Sequence, residues 1–172
     1  LGWLFGFILS LHDAARLASG LFAGIMIACL AGAGRQFAGA EAARGATLVA
    51  IGCLGLLVHV HEAQPALAFL AAAAAIYYGL ALLPHNPQRG GRVVGAGIGL
   101  LAAGLPALIS LGPLLVLLPL FSSHLRTPQV ARGMFAASVI AVPLILSWPL
   151  ALYWFEPAAF GAWWARELSD LP

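Results

Sequence analysis

The polar residues with the most chemical potential lie between two apolar segments: His59, His61, Glu62 and Gln64. Ionisable groups at the edge of an apolar segment are costly unless they face water or a partner. The cluster could therefore line a cavity for an anionic or polyhydroxylated head group. Two histidines and one glutamate could also hold a divalent metal, although their spacing on an undefined turn is a poor ligand pattern. A short polar loop wetted at a membrane surface accounts for the same residues.

Two arginines at opposite ends of the chain offer a different chemistry. Arg16 precedes the first long apolar segment, where a guanidinium could bind phosphate or extend its charge to the membrane surface. Arg166 follows Trp163 and Trp164. Such tryptophans either form part of an interfacial aromatic belt or contact a substrate.

Other familiar motifs are absent or have simpler explanations. Cys29 and Cys53 both lie inside apolar segments, which favours inert packing over redox chemistry or metal binding. The glycines of residues 95–99 follow no predicted strand, so we interpret them as sites of close helix packing and not as a dinucleotide-binding loop. The sequence contains neither a Ser–His–Asp set nor a Walker loop.

The composition defines the environment in which these residues must act. The chain has 172 residues, of which 62% are apolar and 8% are charged, against about 25% charged residues in soluble domains. This excludes a disordered chain, a coiled coil and an ordinary soluble enzyme. A net charge of +2 without a basic patch also argues against nucleic acid as a partner.

We therefore predict an all-α fold: a polytopic membrane bundle of about six spans, two of them short, with two interfacial helices, forming a single transmembrane domain over residues 1–172. Full spans are expected at 17–34, 46–60, 66–83 and 133–155, and interfacial helices at 1–11 and 158–171. Residues 1–11 could alternatively form the tail of a span that starts before them. Loops are expected at 35–45, 84–92 and 122–132, and Pro143 and Pro149 are expected to kink the last span.

The uncharged stretch of residues 93–121 needs separate treatment. A single helix of that length would measure about 43 Å, whereas the hydrocarbon core is about 30 Å thick. Pro106 cannot donate a backbone hydrogen bond, so we expect a reversal at Gly104–Pro106 between two short helices, 93–103 and 106–121.

Alternating these spans sorts the charges by side. Six of the eight arginines fall on one side: Arg35, Arg44, Arg89, Arg92, Arg126 and Arg132. Arg16 and Arg166 fall on the other side with five of the six acids: Asp13, Glu62, Glu156, Glu167 and Asp170. The positive-inside rule places the six arginines in the cytoplasm, and we expect the outer face to carry the chemistry.

The order of these segments resembles the GT-C membrane glycosyltransferases, in particular the group of lipid A 4-amino-4-deoxy-L-arabinose transferases and protein O-mannosyltransferases. Residues 1–17, ending in the step Ala-Ala-Arg-Leu, resemble the end of the family's first outer loop. Residues 94–104 resemble its glycine-rich short helix. Residues 143–152, with the pair Trp148-Pro149, resemble the family's span that ends near a Pro–Trp pair, and residues 160–171 resemble the outer juxtamembrane helix that follows.

The resemblance implies transfer of a sugar from a polyprenyl-phosphate donor to a lipid or other acceptor, at the outer face of a bacterial inner membrane, as in lipid A modification. Arg16 and Arg166 would neutralise phosphate, and His61 and Glu62 would orient the sugar or acceptor. Gln64 takes the place of a second family acid. The essential acid is expected before Leu1, so the chain would be a fragment with no catalytic residue of its own. No cofactor is implied beyond a possible divalent metal, and membrane lipids are the expected partners.

Two other functions fit the composition. The chain could be a degenerate, non-catalytic membrane module that acts as a scaffold or lipid binder. It could also be a fragment of a small transporter, because transporters often contain broken helices. The break at Gly104–Pro106 would suit a transporter, but the sequence shows no internal repeat.

Overall fold

A computed structural model of the protein describes residues 11–53, 65–101 and 126–169, and every regular element in these ranges is an α-helix. In chain order the helices are α1 (Leu11–Gly52), α2 (Pro65–Leu82), α3 (Pro87–Leu101), α4 (Pro128–Phe155) and α5 (Pro157–Ser169). Helix α2 packs between α1 and α3, α3 packs between α2 and α4, and α5 contacts α4. The all-α prediction is confirmed for this part of the chain.

Helix α1 folds back on itself at Gly39. This glycine has φ 86° and ψ −171°, outside the helical region, and such a positive φ is readily adopted only by glycine. A Cβ added at Gly34 would lie 3.2 Å from the Ala42 carbonyl oxygen, although eight residues of straight helix would separate the two by about 12 Å. The predicted 35–45 loop is therefore wrong in extent: the two arms stay helical almost up to Gly39.

Helices α2 and α3 form an antiparallel hairpin with a tight turn at residues 83–86. The backbone nitrogens of His85 and Asn86 both donate to the Leu82 carbonyl. The Asn86 side-chain oxygen then accepts a 3.1 Å hydrogen bond from the Arg89 backbone nitrogen, which satisfies a free donor in the first turn of α3. Because Pro87 suits the first helical position, α3 begins there, and the predicted 84–92 loop is wrong beyond residue 86.

Glycines bring α2 and α3 into backbone contact. A Cβ added at Gly79 would lie 2.7 Å from the Val94 backbone nitrogen, and one added at Gly90 would lie 2.8 Å from the Gly79 carbonyl oxygen. Further along, Gly97 faces Ile76 of α2 in the same way. Any side chain at these positions would push the helices apart, so glycine is required there by close approach.

A second glycine row on α3 faces α4. Gly91 lies against the backbone of Gly133, and a Cβ added at Gly95 would lie 2.5 Å from the Ala137 carbonyl oxygen. Gly99 continues the row against Leu144. The spacing of four residues keeps the row on one helix face. These contacts confirm the prediction that the glycines of residues 95–99 serve helix packing.

Helix α4 begins earlier than the sequence predicted. The Thr127 hydroxyl accepts a 3.3 Å hydrogen bond from the Val130 backbone nitrogen, and Pro128 occupies the first turn. This cap extends the helix into the predicted 122–132 loop. The helix runs through Pro143 and Pro149 to Phe155, where the predicted span also ends. After Glu156, helix α5 covers most of the predicted interfacial segment 158–171.

By length and composition, two helical segments could cross a membrane: Arg16–Gly52, which contains the Gly39 reversal, and Pro128–Phe155. The number of about six spans is not confirmed. Helix α2 covers residues 66–82 of the predicted 66–83 segment and has 18 residues, and α3 has 15. A membrane-spanning helix needs about 20 residues. The predicted interfacial helix 1–11 and the reversal at Gly104–Pro106 lie outside the described residues, apart from Leu11 itself.

The size distribution of apolar side chains is inverted relative to a soluble protein. Among the described residues, eleven of nineteen buried apolar side chains are alanine. Large side chains face outward instead, including Phe135 at 72% exposure and Val139 at 57% on α4. Soluble cores bury large residues, whereas small residues at helix contacts and large ones outside are typical of helices packed within lipid.

Candidate functional site

The helix contacts define two ends of the bundle. Helix α3 runs parallel to α4, because Gly91, Gly95 and Gly99 meet Gly133, Ala137 and Leu144 in the same order. The first arm of α1 runs parallel to α2, since Met26 packs with Ala71 and Ala74, and Gly32 with Tyr78. The Gly39 reversal, the 83–86 turn and the starts of α3 and α4 therefore lie at one end.

This arrangement sorts the arginines as the sequence predicted. The end just defined, here called the arginine end, carries six of them: Arg35, Arg44, Arg89, Arg92, Arg126 and Arg132. Arg16, near the start of α1, and Arg166, beyond the end of α4, belong to the opposite end. Leu101 and Arg126 lie at different ends, and the predicted second pass of the 93–121 stretch lies outside the described residues.

Of the predicted site residues, only Arg16 and Arg166 lie in the described part of the chain. Arg16 and Arg166 are both exposed at the opposite end, but α1 and α5 do not form a packed helix pair within the described chain. The structure therefore does not join the two guanidinium groups into one site. His61, Glu62 and Gln64 lie outside the described residues, as does His59.

A polar pocket, here called the end pocket, opens instead at the arginine end. Its volume is about 300 Å³. It is formed where the α2–α3 turn meets the first turn of α4, and its lining is His85, Asn86, Pro87, Gln88, Gln129 and Arg132. The close contact of Gly91 with Gly133 brings the two helix starts together just beneath it.

The electrostatics of the arginine end are strongly one-sided. Six arginines and one described acid, Glu41, give a formal charge of +5 there. Glu41 is already engaged, because its carboxylate lies 2.7 Å from the Arg44 guanidinium. Helices α3 and α4 also both begin at the end pocket, so their dipoles add positive potential. The pocket is therefore suited to an anion.

Sequence reasoning missed the end pocket because it looked for chemistry on the other side of the bundle. The signal was nonetheless present, since the predicted topology already placed residues 84–92 and 122–132 on one side with four arginines. The predicted topology did not include the contact between α3 and α4. That contact depends on which glycines face which helix, and two helices can meet through several different faces.

The opposite end is built from aromatic rings. Phe160 of α5 packs edge-on against Tyr153 of α4, with ring centroids 5.7 Å apart. The same ring lies 6.0 Å from Trp163 and stacks on Trp164 at 6.4 Å. The Tyr153–Phe160 contact holds the start of α5 against the end of α4, while the two tryptophan contacts lie within α5 and Trp164 keeps 45% of its surface exposed.

Within the described ranges, no group of three or more His, Cys, Asp or Glu side chains could hold a metal ion. The metal candidates of the sequence, His59, His61 and Glu62, fall in the 54–64 gap. Comparison with protein families, with curated proteins and with solved structures gives no match to this chain.

Proposed function

We propose that the chain is an integral membrane helical module belonging to a glycosyltransferase of the GT-C type. It would help to move a sugar from a polyprenyl-phosphate donor to a lipid or other acceptor at the outer face of a bacterial inner membrane. In this proposal Arg16 and Arg166 hold the donor phosphate, and His61, Glu62 and Gln64 orient the sugar or acceptor.

The membrane part of the proposal is supported by the inverted core. Alanine and glycine at the helix contacts, with large apolar side chains outside, would leave α4 poorly matched to water. Two helical segments are also long and apolar enough to cross a membrane. The transferase part is supported by the order of motifs along the sequence.

The observation that carries the choice of site is the sorting of arginines between the two ends. Arg16 and Arg166 share the end opposite the six other arginines. Under the positive-inside rule that end is the outer one, where a lipid-linked sugar donor would be used. Two cations at one membrane surface fit the role of neutralising a lipid phosphate.

The proposal is tested by sugar transfer in membranes containing the protein in its full natural length, with a labelled polyprenyl-phosphate sugar as donor. We expect Arg16→Ala and Glu62→Gln each to lower the transfer rate about tenfold or more, because each removes a group that meets donor or acceptor. Arg35→Ala is the matched control: it removes an exposed arginine from the other end and should leave the rate within about twofold.

Two results would overturn the transferase assignment: unchanged rates in both variants, or no transfer above that of membranes lacking the protein. The second result would favour a non-catalytic scaffold or lipid binder. Membrane integration is checked separately by resistance to alkaline extraction, and release into the soluble fraction would contradict it.

A further inference from the structure

The end pocket lies away from every residue assigned to sugar transfer, yet it has the features of a binding site. It joins three loop and helix segments, it is about 300 Å³ in volume, and five of its six lining residues have polar or charged side chains. Small-molecule sites usually have volumes of about 300–1,000 Å³, so the pocket is large enough for a small polar head group.

The lining offers hydrogen-bond donors with little competition from acids. Arg132 presents the forked guanidinium that suits phosphate oxygens. The amides of Gln88 and Gln129 add neutral donors. The Asn86 side-chain oxygen is already used by the Arg89 backbone nitrogen, which leaves its NH₂ group available to donate. Glu41 pairs with Arg44, and the other acids in the described part of the chain lie at the opposite end of the bundle.

The position of the pocket along α4 matches the depth of lipid head groups. The outward face of α4 becomes apolar at Phe135, which is 72% exposed, and continues with Val139 and Val142. Arg132 precedes Phe135 by three residues, or about 4.5 Å along the helix. A lipid whose acyl chains lie on this apolar face would therefore carry its phosphate close to the guanidinium.

We propose that the end pocket binds the phosphodiester head group of an anionic phospholipid. Arg132 holds the phosphate, Gln88 and Gln129 donate to its oxygens or to the glycerol, and the acyl chains follow the α4 face. This inference rests on the membrane integration proposed above but not on the transferase activity. Its occupant is a lipid of the leaflet that contacts the arginine end, distinct from the sugar donor.

The test compares lipid retention by the purified full chain. The protein is reconstituted into nanodiscs of equal phosphatidylglycerol and phosphatidylcholine, released, and weighed with its bound lipids by native mass spectrometry. Wild type should retain phosphatidylglycerol preferentially. Arg132→Gln should lower the ratio of retained phosphatidylglycerol to phosphatidylcholine about fivefold. Arg35→Gln removes the same charge from the same end without touching the pocket and should change the ratio less than about twofold.

A second variant and an added competitor complete the test. Gln129→Leu removes a donor without changing charge and should lower the ratio about twofold, which also covers the case in which Arg132→Gln does not fold. Inorganic phosphate at 10 mM should leave the ratio unchanged if a lipid head group is the ligand. Displacement by that phosphate would overturn the lipid as the natural occupant.

Equal losses in Arg132→Gln and Arg35→Gln would also overturn the inference, because they would show only general attraction to anionic lipid. Failure of the protein to enter nanodiscs would instead contradict the proposed membrane integration. The two failures are therefore distinguishable.

Discussion

The two ends of this bundle are built by different means. At the arginine end, which carries six arginines, glycines let helix backbones touch, side-chain caps start α3 and α4, and a polar pocket is lined by Arg132. At the opposite end, aromatic rings join α4 to α5, and the described arginines are two exposed side chains on separate helices. Rigid backbone contact suits a preformed site, whereas exposed rings suit a membrane surface. The comparison shows that the better-formed pocket lies on the side with more positive charge.

The largest expected effect comes from filling the glycine contact under the end pocket. Gly91→Ala would drive a Cβ into the Gly133 backbone and should lower the free energy of unfolding by about 3 kcal/mol. Gly20→Ala is the matched control on α1, because an added Cβ there meets nothing within 4 Å; it should be neutral or stabilise by up to about 1 kcal/mol. Unfolding in mixed detergent micelles measures both. Equal effects at the two positions would show that α3 and α4 do not touch as described.

An intermediate effect is expected at the opposite end. Phe160→Ala removes the ring that meets Tyr153, Trp163 and Trp164 and should cost about 1.5 kcal/mol. The loss should be local, because the only helix in the described chain against which α5 packs closely is α4. Hydrogen exchange should therefore accelerate in α5 while α2 and α3 remain protected. Uniform acceleration across the bundle would contradict the separate construction of the two ends.

The smallest effect is expected for the ion pair at the arginine end. Glu41→Gln breaks the 2.7 Å contact with Arg44, but both side chains are largely exposed, at 84% and 74%. Exposed pairs contribute little, so the free energy of unfolding should change by less than about 0.5 kcal/mol. The same micelle unfolding assay applies, with Arg44→Gln as the companion variant. A loss above about 1.5 kcal/mol would mean that this pair organises the Gly39 reversal.

Several features of the fold follow from sequence alone, and the reason is physical. Apolar segment lengths predicted the helical class and the end of α4 at Phe155, because a span must match the bilayer. The charge pattern predicted which helix ends meet. Arginine is unfavourable inside the lipid bilayer, and in the loops it is enriched on the cytoplasmic side. Segment length and charge can both be read along the sequence without knowledge of the contacts between helices.

The helix boundaries near turns and the end pocket could not be predicted in the same way. The predicted loops were too long because polar residues were taken to end helices, whereas Asn86 and Thr127 cap helices that begin at once with Pro87 and Pro128. The pocket depends on the pairing of Gly91 with Gly133 across 42 residues, a tertiary contact that periodicity does not specify. The roles of His61, Glu62 and Gln64 stay predictions.

The central claim is that the arginine end and the opposite end face different sides of one membrane. It is tested most directly by single-cysteine labelling in cells, after Cys29 and Cys53 are replaced by serine. Gln88→Cys and Gln129→Cys report the arginine end, and Ser169→Cys reports the opposite end; all three positions are exposed. A membrane-impermeant maleimide should label position 169 in intact cells and positions 88 and 129 only after permeabilisation. Labelling of positions 88 and 129 from different sides, or of 129 together with 169, would contradict the account.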